Sequence, residues 1–126
     1  MEIRSLVGNG AVTCSSDLSL SQAAHQMIAE GVGSLGVMDG ETLAGIITER
    51  DILRAAASGA HFHSAAVSDW MTPSPDVLGP DADVVEAAQW MLATGFRHIP
   101  VVDAGLLLGI VSIKDVLWAL TEPAVH

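Results

Sequence analysis

Basic residues are scarce in this chain. Lys and Arg number 5 against 15 Asp and Glu, a formal net charge of −10. Affinity for nucleic-acid polymers comes mainly from neutralising phosphates with Lys and Arg, so this field excludes non-specific binding of DNA or RNA and repels anionic membranes. A small anion is a different matter, because local dipoles and the few basic groups, Arg4, Arg50, Arg54, Arg97 and Lys114, can hold one. Cysteine is nearly absent too. The single Cys14 excludes an internal disulfide framework and suits a reducing compartment. Long apolar runs are missing: AGLLLGIV at 104–111 falls far short of the roughly 18 residues that cross a bilayer. The opening MEIRSLVGNG has neither a basic n-region nor an apolar h-region, so a cytoplasmic location is the expectation. There is no glycine-rich nucleophile elbow and no justified Ser/His/Asp set, and His61 with His63 supplies too few ligands for a metal. No catalytic residue, metal or required cofactor is therefore assigned, and the chain is not expected to be an enzyme.

What the chain has instead is repetition. Half of its 126 residues are hydrophobic and 16% are charged, which favours a packed globule over a disordered tail. A gapless shift of 64 pairs Asp17 with Asp81, Ala23 with Ala87, Met27 with Met91, Gly31 with Gly95, Val37 with Val101, Gly45 with Gly109, and Asp51 with Asp115. A repeated supersecondary unit usually means that each copy completes the other's core. The repeats are bounded at 1–62 and 63–126, as two parts of one compact module.

Each copy reads as β-α-β-β-α, an α/β (α+β) arrangement. Leu20, Ala23, Ala24, Met27 and Ile28 recur at helical spacing, as do Val84, Ala87, Ala88, Met91 and Leu92. Ser19 with Gln22 and Asp83 with Glu86 look like capping boxes, and Gly31 and Gly95 sit where left-handed C-terminal caps belong. SLGVM and LAGII, then HIPVV and LLLGIV, form strand pairs about the turns DGET and DAGL. DILRAAA and DVLWAL are the second helices, and short first strands are expected at AVT, 11–13, and DVL, 76–78. IRSLV and VSDWM are matched lead-ins, SGAHFHSA is a connector, and TPSP at 72–75 opposes helix with its prolines. Trp70, Trp90 and Trp118 read as packing or interface anchors.

The matched junctions GIITERD and GIVSIKD carry the chemistry. Thr48 and Ser112 each follow a strand and precede a helix, with Asp51 and Asp115 three places on. The simplest account is helix capping, worth about 0.3–2 kcal/mol for each effect. A helix N-terminus also offers free N–H groups to phosphate, Arg50 or Lys114 adds a cation, and a carboxylate can accept from the two hydroxyls of a ribose. These residue types divide the labour of binding a nucleotide.

With these junctions, the RHIPVVD strand and the VSDWMTP lead-in, all at one offset, the chain resembles a tandem pair of CBS (cystathionine-β-synthase-type) domains, a stand-alone, bacterial-type regulatory module. The resemblance implies two repeats packed about a pseudo-twofold axis, with two clefts that bind adenosyl ligands such as AMP, ADP or ATP. It implies sensing without catalysis, a homodimer to which the apolar DVLWALTEP end with Trp118 contributes, and an effector protein that the sequence does not name. One cleft would use Thr48, Arg50 and Asp51 with Val77, Leu78, His98, Ile99 and Pro100, with Arg97 also in reach. The other would use Ser112, Lys114 and Asp115 with Thr13, Cys14, Ser34, Leu35 and Gly36. The strand RHIPVV matches the family pattern and VGSLGVM departs from it, so the Thr48 cleft is expected to hold phosphate more tightly. The residues also leave open a ligand-free interaction module, or a nucleotide-hydrolysing enzyme that turns over with Mg²⁺.

Overall fold

The computed structural model describes residues 1–8 and 10–121. Two compact units emerge, Ala11–Pro75 and Met1–Gly10 with Asp76–His126. The first contains β1 (Thr13–Ser15), α1 (Leu20–Glu30), β2 (Ser34–Asp39), β3 (Thr42–Thr48), α2 (Glu49–Ala57), the single turn α3 (Val67–Trp70) and β4 (Thr72–Pro73). The second contains a 3-10 turn at Ile3–Leu6, α4 (Val84–Thr94), β5 (His98–Asp103), β6 (Leu106–Ser112) and α5 (Ile113–Thr121). The mixed α+β class is as the sequence reads, and the order helix-strand-strand-helix repeats in both units.

The helix boundaries follow local chemistry. Ser19 accepts from the Gln22 N–H at 3.1 Å while Gln22 accepts from the Ser19 N–H at 3.1 Å, a complete capping box on α1. At Asp83 the expected box does not close: Asp83 caps α4 by accepting from the Val85 N–H at 2.9 Å, and the Glu86 N–H goes to the Asp83 carbonyl instead. That Val85 bond, with the neighbouring N-terminal ammonium, holds the Asp83 carboxyl below its usual range. Gly31 and Gly95 close α1 and α4 with φ of 67° and 79°, a region that costs residues with a Cβ.

The strand pairs form as expected. β2 runs antiparallel to β3 from Ser34↔Thr48 to Asp39↔Thr42, and β5 to β6 from His98↔Ser112 to Asp103↔Leu106. Both ladders shift register at the same place, Val37/Met38 and Val101/Val102, so the repeat extends to the bulge. The flanking strands differ. β1 lies at 13–15 rather than 11–13, parallel to β2, and the segment TPSP contributes β4, antiparallel to β3. The expected strand at 76–78 shrinks to one bridge, Leu78↔Val101, held by Leu78 N–H to Pro100 O at 3.0 Å and Val102 N–H to Leu78 O at 2.9 Å. The physical reason is Pro100. Its counterpart Gly36 donates its N–H to Val12 O at 3.0 Å, a bond that proline cannot make.

Each unit buries its own core. Leu20, Met27, Leu35, Val37 and Ile47 form one, and Val84, Met91, Ile99, Val101 and Val111 the other. The lead-ins are exchanged: Val67 packs in the core with Leu35, and Ile3 packs in the core with Ile99. In this sense each copy does complete the other's core. The helical stripes are narrower than periodicity suggests, because Ile28 and Leu92 are 84% and 86% exposed.

Candidate functional site

The two junctions are built alike. β3 ends at Thr48 and β6 at Ser112, where the backbone turns into α2 and α5. The Thr48 N–H and hydroxyl both donate to Asp51 Oδ2, at 2.8 and 3.3 Å. The Ser112 N–H and hydroxyl both donate to Asp115 Oδ2, at 2.9 and 3.0 Å, and the Asp115 N–H returns a bond to Ser112 Oγ at 3.2 Å. The first helical N–H in each case reaches the residue before the paired hairpin strand, β2 or β5: Glu49 to Gly33 O at 3.0 Å, Ile113 to Arg97 O at 2.8 Å. The first turn of a helix leaves N–H groups without intrahelical acceptors, and Arg50 and Lys114 stand in that turn with exposed, positively charged side chains. Capping and ligand chemistry are thus compatible: one carboxylate oxygen closes the helix start, while the rest of the mouth faces outward.

The strand residues named from the resemblance divide between the two units. In the first unit, Ser34 pairs with Thr48 and Thr13 with Gly36, so the junction and the β1–β2 residues share one end of the sheet. In the second, His98 pairs with Ser112, and Leu78 lies beside Pro100 and Val101. Thr48, Arg50 and Asp51 belong to one unit, and Val77, Leu78, Arg97, His98, Ile99 and Pro100 to the other. Leu35 and Ile99 are core residues at 0% and 1% exposure, so neither presents side chain or backbone at the surface.

One residue of the junction escaped the sequence reading. Arg54 Nη2 donates to Asp51 Oδ1 at 2.8 Å, and reaches Trp70 O at 3.3 Å with its guanidinium 5.8 Å from the centre of the Trp70 ring. The signal was present: three positions after an acid lies on the same helix face, and the 64-residue shift sets Trp118 against Arg54, a break in the repeat. The other tryptophans separate as packing and exposed groups. Trp90 donates to Asp76 Oδ2 at 2.9 Å and stacks on Phe96, whereas Trp118 is 53% exposed. Glu122 and Pro123 of the DVLWALTEP stretch lie outside the described residues.

Cys14 stands among the named residues but is buried in the first core. Burial pushes its thiol from 9.0 up to about 11. Near neutral pH it offers neither charge nor a nucleophile. Because the folded value is raised, the stability held by the neutral thiol is full below pH 9.0 and is lost as pH rises through about 11. Urea midpoints measured from pH 8 to 11 are expected to fall more steeply for the native chain than for Cys14→Ala; parallel curves would contradict this.

The comparisons with known proteins agree with this geometry. The CBS domain family model matches residues 3–58 and again 67–122. The chain is 38% identical over 108 residues to an uncharacterized 17.7 kDa protein in the bps2 3′ region of Acidianus ambivalens, covering 84% of this chain and 65% of that one. It spans 65% and 56% of the length of that relative and of the Arabidopsis thaliana CBS domain-containing protein CBSX3. Among solved structures, a protein with CBS domains from Burkholderia ambifaria superposes with a TM-score of 0.93 at 26% identity, over 100% of this chain and 98% of that one. The CBS domain pair of protein MJ0100, in complex with 5-methylthioadenosine and S-adenosyl-L-methionine, superposes at 0.87 with 25% identity, covering 95% of each chain. CBSX2 in complex with AMP superposes at 0.78 with 28% identity, over 94% of this chain and 95% of that one.

Proposed function

The chain belongs to the CBS domain family, and from that premise we propose that it is a regulatory module that binds an adenosyl ligand, AMP, ADP or ATP, at its Thr/Ser-x-x-Asp junctions. The observation that carries this reading is the doubled junction: in each copy a carboxylate is fixed at a strand end, beside a helix N-terminus that bears an exposed cation. The carboxylate suits a ribose diol, whose hydroxyls donate, and the helix mouth with Arg50 or Lys114 suits phosphate. Solved relatives in complex with AMP, and with 5-methylthioadenosine and S-adenosyl-L-methionine, support the adenosyl class. In this proposal the repeats 1–62 and 63–126 work as one cytoplasmic module. Thr48, Arg50 and Asp51 act with Val77, Leu78, Arg97, His98, Ile99 and Pro100, and Ser112, Lys114 and Asp115 act with Thr13, Cys14, Ser34, Leu35 and Gly36.

The output is regulation of an effector protein and not turnover. No helix among the described residues is long and apolar enough to cross a membrane. A homodimer is part of the proposal, supported by matched exposed apolar positions in the two copies: Ile28 with Leu92, and Leu53 with Leu117 at 70% and 53% exposure.

Binding to the folded state alone raises stability by RT ln(1 + [L]/Kd), about 2.7 kcal/mol at 100 times Kd. Thermal unfolding with AMP, ADP, ATP, S-adenosylmethionine and methylthioadenosine is therefore expected to show a saturable upward shift for at least one ligand. The ligand is expected to be recovered unchanged in the presence of Mg²⁺, and the same sample to scatter light as a dimer. No shift at millimolar ligand would leave the ligand-free interaction module as the better reading. Hydrolysis would return the enzyme reading, and a monomeric mass would remove the dimer.

A further inference from the structure

A carboxylate has about four lone-pair positions for incoming donors. Asp51 has already filled three of them: Thr48 supplies its N–H and hydroxyl to Oδ2, and Arg54 supplies Nη2 to Oδ1. Its side chain is 9% exposed, so water offers little substitute for any bond that is broken. A vicinal diol needs two positions, and Asp51 has one left. Asp115 differs by one residue. Its Oδ2 takes both Ser112 donors, and position 118, the counterpart of Arg54, is a tryptophan; among the described residues no guanidinium reaches Oδ1. Asp115 therefore retains two positions, both on the same oxygen.

We propose that Arg54 is an internal competitor for the ribose diol at the first junction, so that a nucleoside enters there only by displacing the Arg54 guanidinium from Asp51 Oδ1. This rests on the adenosyl reading above and adds an order of preference between the two carboxylates. For the diol the Asp115 junction is the better acceptor, whereas the advantage expected of the Thr48 cleft concerns phosphate. Displacement also has a second consequence within the first unit. The same Nη2 bonds the Trp70 carbonyl, and Trp70 closes α3 one residue before β4, so a diol at Asp51 loosens the tie between α2 and the lead-in segment.

Calorimetry with adenosine isolates the diol, because it carries no phosphate for Arg54 to attract. In an Asp115→Ala background, Arg54→Leu is expected to tighten adenosine binding at the remaining junction roughly tenfold, the worth of one charge-assisted hydrogen bond. Arg54→Lys, which keeps a charged donor within reach, is expected to remain near the weak parent. Arg54 is 56% exposed on its side chain, so these variants fold, and far-ultraviolet circular dichroism checks it. An unchanged or weaker affinity in Asp115→Ala/Arg54→Leu overturns the competitor. So does a failure of Arg54→Leu to bring the first junction into view while the native chain binds adenosine. If the native chain takes neither adenosine nor AMP at millimolar concentration, the adenosyl reading itself fails and the competitor falls with it; binding of AMP by the native chain with no response to Arg54→Leu removes the competitor alone.

Discussion

Gly45→Ala is expected to cost the protein about 3 kcal/mol, a loss at the upper end of what overpacking does. Gly45 lies in β3, three residues before Thr48, with Met71 and Thr72 crossing directly over it. A Cβ there would sit 2.5 Å from Met71 Sδ and 2.7 Å from the Thr72 carbonyl oxygen, closer than carbon approaches either atom. The sulfur can swing aside, but the carbonyl belongs to β4, whose pairing with β3 fixes it. The repeated glycine in GIITERD and GIVSIKD is thus a packing requirement: it lets a lead-in segment lie flat on the strand that ends at the junction. Gly109 has the same task against Val7, with Val7 Cβ at 2.7 Å and its carbonyl oxygen at 3.0 Å. Val7 Cβ moves only with its backbone, so Gly109→Ala is expected to cost nearly as much, about 2–3 kcal/mol, and to be partly rescued by Val7→Gly, which removes the nearest atom. Met71→Ala is expected to rescue Gly45→Ala poorly, since the Thr72 oxygen remains. Urea unfolding with an unchanged m-value measures all four variants; a native midpoint for Gly45→Ala would show that β4 moves freely.

The same glycines show where sequence reading succeeds and where it stops. The 64-residue shift found Gly45 with Gly109 and Asp51 with Asp115, and hydrogen bonds from Thr48 and Ser112 to those carboxylates follow directly from spacing on a helix start. Hairpin turns and the glycine caps were legible because their conformations are demanded locally. Three features were not. The lead-ins read as the start of their own repeats, yet Ile3 and Val67 each pack with the other copy's residues, and periodicity carries no information about which sheet a segment will cover. The strand at 76–78 was expected from symmetry, and Pro100 breaks that symmetry by lacking one N–H. Arg54 was counted only as a basic residue, because attention to what the copies share hides what one of them adds.

Leu35→Ala and Ile99→Ala are each expected to lower stability by about 2–5 kcal/mol, the range for emptying a fully buried aliphatic position. Both stand among the residues that the resemblance assigns to ligand, and both are sealed in the core of their own unit. Their neighbours explain how both facts hold. Leu35 pairs with Ile47 on the strand that leads into Thr48, and Ile99 pairs with Val111 on the strand that leads into Ser112. Alternation along a strand sends the Leu35 side chain inward, while its backbone remains at the sheet end beside Ser34 and Thr48. Surface at these strand ends comes from the partly buried neighbours Thr48, His98 and Ser112, not from isobutyl or sec-butyl groups. Milder truncation separates the two roles. Ile99→Val removes one methylene and is expected to cost about 0.5–1.5 kcal/mol, and Leu35→Met, nearly equal in volume, less than about 1.5 kcal/mol. Both should leave the adenosyl ligand's dissociation constant within a factor of two, once measured well below the unfolding transition. A tenfold loss of affinity in folded Ile99→Val or Leu35→Met would mean that the side chains themselves reach the ligand, and the core that encloses them would have to open for binding.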